Sequence, residues 1–283
     1  MVKIFADSTC DLSKELLEQY DVKIVPLHIV LDGKEYLDGV DIGPDELYSW
    51  SEENKTTPKT SAVGIKDAMD CLECLCYTED EAIVFTISEK MSVTANIFRM
   101  AAQGLEIERQ VSVIESANLS TGIGLLILEA ACLAKEGMSR KEICRRVEEL
   151  KKEVRSSFVI DTLTYLHRGG RCSGVSAMAG GVFKIHPKIV VKDGRMSPTK
   201  KYRGKMDNVI MEYVKDMQQE LLKARQERVF ITHSGCDQKV IDDVYAYLSG
   251  LSYFKEILIT RAGGVISAHC GPGTLGVLYM QEA

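Results

Sequence analysis

Residues 82–134 read AIVFTISEKMSVTANIFRMAAQGLEIERQVSVIESANLSTGIGLLILEAACLA, and this stretch decides the fold class. Two short apolar segments, Ala82–Ile87 and Val111–Ile114, are typical of buried strands. Between them, apolar residues recur every three or four positions over Met91–Leu105, which indicates an amphipathic helix. Gly122–Ala134 is apolar on nearly all sides and predicts a buried helix. Strands that alternate with helices in this way predict a parallel sheet covered on both faces.

The pattern changes once along the chain. Up to about residue 155, strands and helices keep alternating, which predicts a Rossmann-like three-layer α/β/α domain over residues 1–155. Beyond that point, Asp193-Gly194 is a hairpin signal between two strand-like segments, and helices and strands follow it. We therefore predict a second α/β domain over residues 156–283, with a mixed or antiparallel sheet and helices. A length of 283 residues suits two domains.

The composition is that of a globular protein, with 45% hydrophobic and 27% charged residues. No run of 18 apolar residues occurs, so we expect no integral membrane insertion. The first thirty residues lack the basic start and apolar stretch of a secretory signal. Nine cysteines at wide spacings do not resemble a disulfide framework. These features predict a reduced, cytoplasmic protein.

The charge is unevenly distributed. The whole chain carries −6, but residues 167–205 hold ten basic side chains against one acidic and are therefore +9, which leaves −15 elsewhere. This basic block indicates an anionic partner, such as a phosphate group or an acidic protein face, although a solvated surface hairpin explains it equally well. We expect no nucleic-acid partner, since the protein is not basic overall. The ten residues are Arg168, Arg171, Lys184, Lys188, Lys192, Arg195, Lys200, Lys201, Arg203 and Lys205.

The common cofactor and catalytic motifs are missing. Gly122 and Gly124 lack the third glycine of a dinucleotide-binding loop, and no phosphate-binding loop or serine-hydrolase elbow is found. Cys71, Cys74 and Cys76 have no second cysteine pair to complete a zinc site. We therefore expect neither a cofactor nor a metal.

Hydroxyl side chains collect where the predicted strands of the first domain end. Ligands in open α/β sheets lie outside the carboxyl ends of the strands, so this set favours a small oxyanion held by hydroxyls and helix N–H groups. Taken singly, each residue is more simply explained as a helix N-cap. The set comprises Ser8, Thr9, Ser88, Ser92, Thr94, Ser116, Ser120 and Thr121, with Thr60 and Ser61 at the start of a further predicted helix.

His269, in the glycine-rich loop near the end of the chain, is the best candidate for a base. Acyl transfer or hydrolysis needs a base to activate a hydroxyl, and His269 with Ser92 is the pair that the sequence offers. No acid is placed to orient the histidine, so these groups favour binding of a carboxylate. An acyl-group hydrolase or transferase using Ser92 and His269 is the alternative hypothesis. A phosphate-binding module built on the basic block is a third.

The same segments resemble the DegV family of bacterial fatty-acid-binding proteins over the whole chain. The resemblance implies a protein without enzymatic activity that binds one long-chain fatty acid between two domains. In some members the acid is presented to a fatty acid kinase, which phosphorylates the carboxyl group. The matching motifs are Asp7–Leu12, Val25–Leu27, Lys59–Ser61, Ile87–Ser92, Val113–Ser116, Leu163–Leu166, Gly169–Arg171, Pro187, Asp193-Gly194 and His269–Gly273.

The resemblance also implies residues for the site. It assigns the fatty-acid carboxylate to Thr60 and Ser92, and we add the neighbouring Ser61 and His269 as further donors. Neutral donors are needed because the sequence offers no buried arginine at the strand ends. Val93 stands where the family has glycine, which predicts a shortened or reshaped pocket.

Two further expectations concern the surroundings of this site. Arg171 and Arg203 of the basic block are the predicted docking residues for a kinase or its phosphate. The apolar helices over Val63–Cys76, Met91–Leu105 and Gly122–Ala134 are the predicted walls of an elongated apolar pocket for the acyl chain.

Overall fold

The computed structural model describes residues 1–172 and 185–282, so Lys184 of the basic block lies outside the described residues. The strands are β1 (Val2–Asp7), β2 (Val22–Val25), β3 (His28–Leu31), β4 (Lys34–Leu37), β5 (Lys59–Ser61), β6 (Glu81–Thr86), β7 (Val111–Glu115), β8 (Val154–Val159), β9 (Ile185–Lys192), β10 (Arg195–Arg203), β11 (Ala224–His233), β12 (Glu256–Arg261) and β13 (Leu275–Gln281). The α-helices are α1 (Lys14–Tyr20), α2 (Pro44–Asn54), α3 (Ile65–Leu72), α4 (Thr94–Gly104), α5 (Thr121–Lys135), α6 (Arg140–Leu150), α7 (Thr164–Gly169), α8 (Met206–Asp216), α9 (Gln218–Leu221), α10 (Gln238–Gly250) and α11 (Gly264–Cys270).

The N-terminal domain is built on four parallel strands in the order β2-β1-β6-β7. Side chains alternate along a strand, so Ile4 and Phe85 face one side of this sheet while Phe5 and Val84 face the other. The first side packs against α5 and α6, and the second packs against α3 and α4. The predicted three-layer arrangement with a parallel sheet is therefore confirmed.

A small antiparallel sheet, in the order β4-β3-β5, is attached to this domain. It corrects one prediction, because Thr60 and Ser61 lie in a strand and not at a helix start. Thr60 pairs with Ile29 and Ser61 pairs with His28. The edge of β3 supplies hydrogen-bond partners for this backbone, and the helix begins only at Ile65.

The C-terminal domain holds six strands in the order β10-β9-β8-β13-β11-β12, antiparallel except for the pair β11 and β12. The predicted mixed sheet is confirmed, and so is its hairpin, where Asp193 and Gly194 both adopt positive φ. Helices α8 and α10 cover one face of the sheet. The domain boundary at residue 155 stays a prediction, and it falls within β8.

Helix α5 lies between the two large sheets, where it packs against β1, β8 and β13. The prediction of a buried helix here is confirmed, and it explains why apolar residues surround the whole helix. Phe158 and Leu278 on the second face of the mixed sheet join the same core as Ile4 and Phe85 of the parallel sheet. Within the described part of the chain, no helix is both long and apolar enough to cross a membrane.

Candidate functional site

A cavity of about 370 Å³ is lined by residues of both domains. The four residues predicted to bind a carboxylate, Thr60, Ser61, Ser92 and His269, all lie on its wall. The wall is otherwise largely apolar. Its larger apolar members are Leu27, Ile87, Met91, Val93, Leu119, Phe158, Leu166, Met196, Val265, Ile266 and Leu278.

The predicted walls of the pocket are wrong for two of the three helices. Neither α3 nor α5 contributes to the described lining, and the segment at α4 contributes only Met91, Ser92 and Val93, which precede the helix. The apolar side chains of α5 are already used in packing between the two sheets, and α3 and α4 pack against the far face of the parallel sheet. Loops at strand ends and the face of the mixed sheet form the wall instead.

His269 and Thr60 form a hydrogen-bonded pair across the two domains, with His269 Nε2 lying 2.8 Å from Thr60 Oγ1. Burial, aided by the positive charge of Arg171, lowers the pKa of His269 to about 4, so the imidazole is neutral at pH 7. Its Nδ1 is buried with no hydrogen-bond partner among the described residues, and it lies so close to Gly169 that a Cβ there would approach within 2.2 Å.

This environment favours one direction of the hydrogen bond. A neutral imidazole carries one ring proton, and a proton on Nδ1 would leave a buried donor without an acceptor among the described residues. In the tautomer with the proton on Nε2, His269 donates to Thr60 Oγ1. The hydroxyl proton of Thr60 then remains available to an acceptor oxygen inside the cavity.

Ser92 lies in the loop before α4 and plays two parts. The backbone N–H of Thr94 donates to Ser92 Oγ over 3.3 Å, and the two hydroxyl oxygens lie 2.9 Å apart. Ser92 thus satisfies the N–H of Thr94, the first residue of α4, but the N-cap position is Val93, so the interpretation of Ser92 as the N-cap is wrong. When both groups of Thr94 donate, the proton of Ser92 is left for a ligand.

The hydrolase alternative requires Ser92 and His269 to pair, and the described contacts do not pair them. His269 bonds to Thr60, and Ser92 bonds to Thr94. No carboxylate within the described residues orients His269 through Nδ1. The geometry is that of hydroxyl and imidazole groups around a cavity, and the described residues form no complete triad.

Ser61 and Val93 border the cavity at exposed positions. Ser61 ends β5 and is exposed. Val93 is 64% exposed, which is high for a valine next to a cavity. Its position beside Ser92 is compatible with an effect on the pocket, but the reshaped pocket stays a prediction.

A second cavity of about 240 Å³ shares Lys90, Met91 and Arg171 with the first and also contacts Arg195. Lys90, Arg171 and Arg195 are exposed, and none has a carboxylate partner in the part of the chain that is described. Arg203, by contrast, is not among the described lining of either cavity.

The sequence pattern did not indicate Lys90 and Arg195 as neighbours of this site. The turn that carries Gly194 places Arg195 there, because Ser88 Oγ donates to the carbonyl of Gly194 over 2.9 Å. A Cβ at Gly194 would come within 2.5 Å of Ser88 Oγ, so glycine permits this contact. Lys90 stands two residues before Ser92, and this short separation is the feature of the sequence that could have indicated its place near the cavity.

A family model described as "Uncharacterised protein, DegV family" matches residues 1–282. The chain belongs to the DegV family. A DegV domain-containing protein of Caldanaerobacter subterraneus is 30% identical over 283 residues, which cover 99% of both chains. The resemblance inferred from the motifs is thereby confirmed.

Solved structures of the family agree with the fold. A DegV family protein of Thermus thermophilus, described as binding fatty acid, is 28% identical with a TM-score of 0.90 and 99% coverage of both chains. A stearic acid-binding protein of Eubacterium ventriosum is 28% identical with a TM-score of 0.86, covering 99% of this chain and 98% of the other. DegV of Bacillus subtilis, described as a fatty acid binding protein, is 25% identical with a TM-score of 0.86 and 99% coverage of both.

Proposed function

We propose that this DegV protein binds one long-chain fatty acid between its two domains and has no catalytic activity of its own. The observation that supports the proposal is a single cavity in which an apolar wall meets hydroxyl and imidazole donors contributed by both domains. Its volume of about 370 Å³ falls within the range of about 300–1,000 Å³ typical of small-molecule sites. The fatty-acid-binding relatives favour the same ligand class.

The carboxylate would be held by neutral donors. It is ionised at neutral pH, so burial without partners would be costly. The protons of Thr60 and Ser92 are available to it when His269 Nε2 donates to Thr60 and when both the N–H and the hydroxyl of Thr94 donate to Ser92. We assign Ser61 a supporting position at the exposed side. Arg171 and Lys90, on the same cavity wall, add favourable positive potential.

The acyl chain would lie against the mixed sheet. Phe158, Met196 and Leu278 contribute apolar side chains there. Each buried methylene contributes about 0.8 kcal/mol, so a 16-carbon chain gains roughly 10 kcal/mol before the cost of ordering is subtracted.

The first experiment identifies the ligand. The purified protein is extracted with organic solvent and analysed by mass spectrometry, then delipidated and titrated with a fluorescent fatty acid. We expect a co-purifying fatty acid near one per chain and saturable binding. Absence of both would contradict the proposal. Turnover of an activated acyl ester that disappears in Ser92→Ala would favour the hydrolase alternative instead.

We further propose that the protein acts in the cytoplasm and presents the bound acid to a fatty acid kinase, with Arg171 and Arg203 as docking residues. Lys90, Arg171 and Arg195 around the second cavity support this, because they have no carboxylate partner among the described residues and such cations bind phosphoryl groups. Arg203 lies outside the described lining of both cavities, so a substitution of Arg203 can change kinase docking without changing fatty-acid affinity.

A charge reversal tests the docking proposal. Arg203→Glu should slow kinase-coupled phosphorylation in a salt-dependent way while fatty-acid affinity stays unchanged. Arg171→Glu should lower both, since Arg171 also borders the first cavity. Unchanged phosphorylation in both variants would leave the basic block as a solvated surface only.

A further inference from the structure

Two buried aspartates of the N-terminal domain hold the start of α11, a helix near the end of the chain. Asp11 and Asp38 are 5% and 3% exposed. Asp11 Oδ1 accepts the N–H of Gly263 over 2.8 Å, and Asp38 Oδ1 accepts the N–H of Gly264 over 2.7 Å. More than 200 residues separate each acid from its donor, so these bonds are tertiary contacts and not local helix caps.

Helix α11 forms much of the cavity wall. Val265, Ile266, His269 and Cys270 all belong to it and line the cavity. The helix packs against α2, β3 and β5 of the N-terminal domain and against α7 of the C-terminal domain. Its first residue must be glycine, because a Cβ at Gly264 would lie within 3 Å of Ile29, Asp38 and Leu47 side chains.

The second oxygen of each aspartate reaches a different part of the same cavity. Asp11 Oδ2 accepts the hydroxyl of Ser120, a lining residue, over 2.5 Å. Asp38 Oδ2 accepts the hydroxyl of Ser8 over 2.7 Å, and Ser8 Oγ in turn accepts the N–H of Leu27, another lining residue. Each of these side chains therefore ties α11 to a wall contributed by the N-terminal domain.

We propose that Asp11 and Asp38 are positioning residues for the head-group site, which set the place of α11 so that His269 Nε2 meets Thr60 Oγ1. His269 stands five residues after Gly264, about 7.5 Å along the helix axis, so a shift at the helix start is carried to the imidazole. The inference rests on the proposed function, since it concerns recognition of a carboxylate at Thr60 and His269.

The test compares hexadecanoic acid with hexadecan-1-ol, which share a chain length and differ in the head group. Asp38→Ala should weaken binding of the acid about tenfold, the effect of losing one hydrogen bond to a charged group. It should change binding of the alcohol less than twofold. In a His269→Ala background, adding Asp38→Ala should change affinity for the acid less than twofold, because the aspartate acts through the histidine.

Two further variants keep the test decisive. If Asp38→Ala does not fold, Asp38→Asn takes its place in the test. Asp38→Asn retains an acceptor oxygen for Gly264, so it should weaken binding of the acid relative to the alcohol in the same direction but by a smaller factor. Tyr213→Phe is the matched control, since it removes buried hydrogen bonds to Ser157 and Val277 in the core that covers the opposite face of the mixed sheet and includes no residue of α11. It should lower the melting temperature without changing the ratio of acid to alcohol affinity.

Two results would overturn the inference. If Asp38→Ala weakens binding of the acid and of the alcohol equally, the aspartate only maintains the cavity. If Asp38→Ala still weakens binding of the acid about tenfold in the His269→Ala background, the aspartate does not act through the histidine. Failure of the proposed function looks different, because the wild-type protein would then bind neither hexadecanoic acid nor the alcohol.

Discussion

The two large sheets border the cavity in different ways. The parallel sheet presents the ends of its strands, where loops carry Ser92 and Ser120, whereas the mixed sheet presents a face, from which Phe158 and Leu278 project. Strand ends leave free N–H groups and suit polar residues, while a sheet face offers a continuous apolar surface. A ligand with a charged head and an apolar chain needs both. One helix, α11, joins the two by bringing His269 to Thr60.

The largest expected effect comes from removing a head-group donor on the strand-end side. Ser92→Ala and Thr60→Ala should each weaken fatty-acid binding roughly 10- to 100-fold, since hydrogen bonds to a charged group contribute about 1.5–3 kcal/mol. Binding of a fluorescent fatty acid measures this.

Thr162→Ala is a closely matched control. Thr162 bonds to Thr164 before α7 in the same manner as Ser92 bonds to Thr94 before α4, and it is not among the lining residues. It should bind like wild type. Wild-type affinity in both Ser92→Ala and Thr60→Ala, with folding intact, would place the head group elsewhere.

The next effect is a pH dependence of the unfolding free energy, and it arises from Asp11, which contacts the start of α11 between the two sheets' regions. Burial raises the pKa of Asp11 to about 8, above its unfolded value near 3.9, so the native state holds an extra proton between these values. The free energy of unfolding should therefore fall as pH rises towards 8. His269 has the opposite effect, because its pKa is lowered to about 4 in the folded protein. Below about pH 6.5 the unfolded state therefore holds the extra proton, and the free energy of unfolding rises with pH.

Between pH 6.5 and 8, Asp11 should account for a loss of about 1.5 kcal/mol in unfolding free energy, and Asp11→Asn should abolish it. Urea denaturation at closely spaced pH values measures the slope. Asp7→Asn is the comparison variant: the pKa of Asp7 is raised only to about 6, so its own contribution is nearly complete by pH 6.5, and because its charge also raises the pKa of Asp11 the slope should become smaller without disappearing. An unaltered slope in Asp11→Asn would show that this carboxyl is already ionised at pH 6.5 in the folded protein.

A smaller effect separates the two faces of one strand in the mixed sheet. Leu278 faces the cavity, whereas its neighbour Val277 faces α8 and the opposite core. Leu278→Phe should shift preference towards shorter acids, by about fourfold for each methylene excluded. Affinities for acids of 12 to 18 carbons measure the shift, and Val277→Leu should leave the profile unchanged. Identical profiles in both variants would mean that the chain does not lie against this face.

The two regions also differ in how far the sequence predicts them. The alternation over residues 82–134 is a local pattern, and it correctly predicts the parallel sheet, at whose strand ends Ser92 lines the cavity. The strand at Thr60 was missed because its partner, β3, lies about thirty residues away and the segment has only three residues. A buried helix such as α5 has the same pattern whether it borders a pocket or fills the space between sheets.

Contacts across the domains were the least accessible to sequence reasoning. Asp11 and Asp38 each meet α11 through more than 200 residues of intervening chain, and only the tertiary structure shows it. His269 was singled out for its chemistry, yet its partner proved to be Thr60 and not Ser92. Residue type thus predicted which groups line the cavity, while their pairing required the fold.

The smallest expected effect lies where the strand ends meet the chain-binding surface, at Val93. Its side chain borders the cavity but is 64% exposed, so it contacts a ligand with only part of its surface. Val93→Gly should favour longer acids by about fourfold or less, since the space released corresponds to about one methylene. Competition between acids of 16 and 18 carbons measures this shift. Val40→Gly removes an equally exposed valine, 68% exposed, outside the described lining, and it controls for the loss of stability that glycine brings. If Val93→Gly and Val40→Gly prefer the same acid as wild type, Val93 does not limit the pocket, and the departure from the family at this position has no effect on chain length.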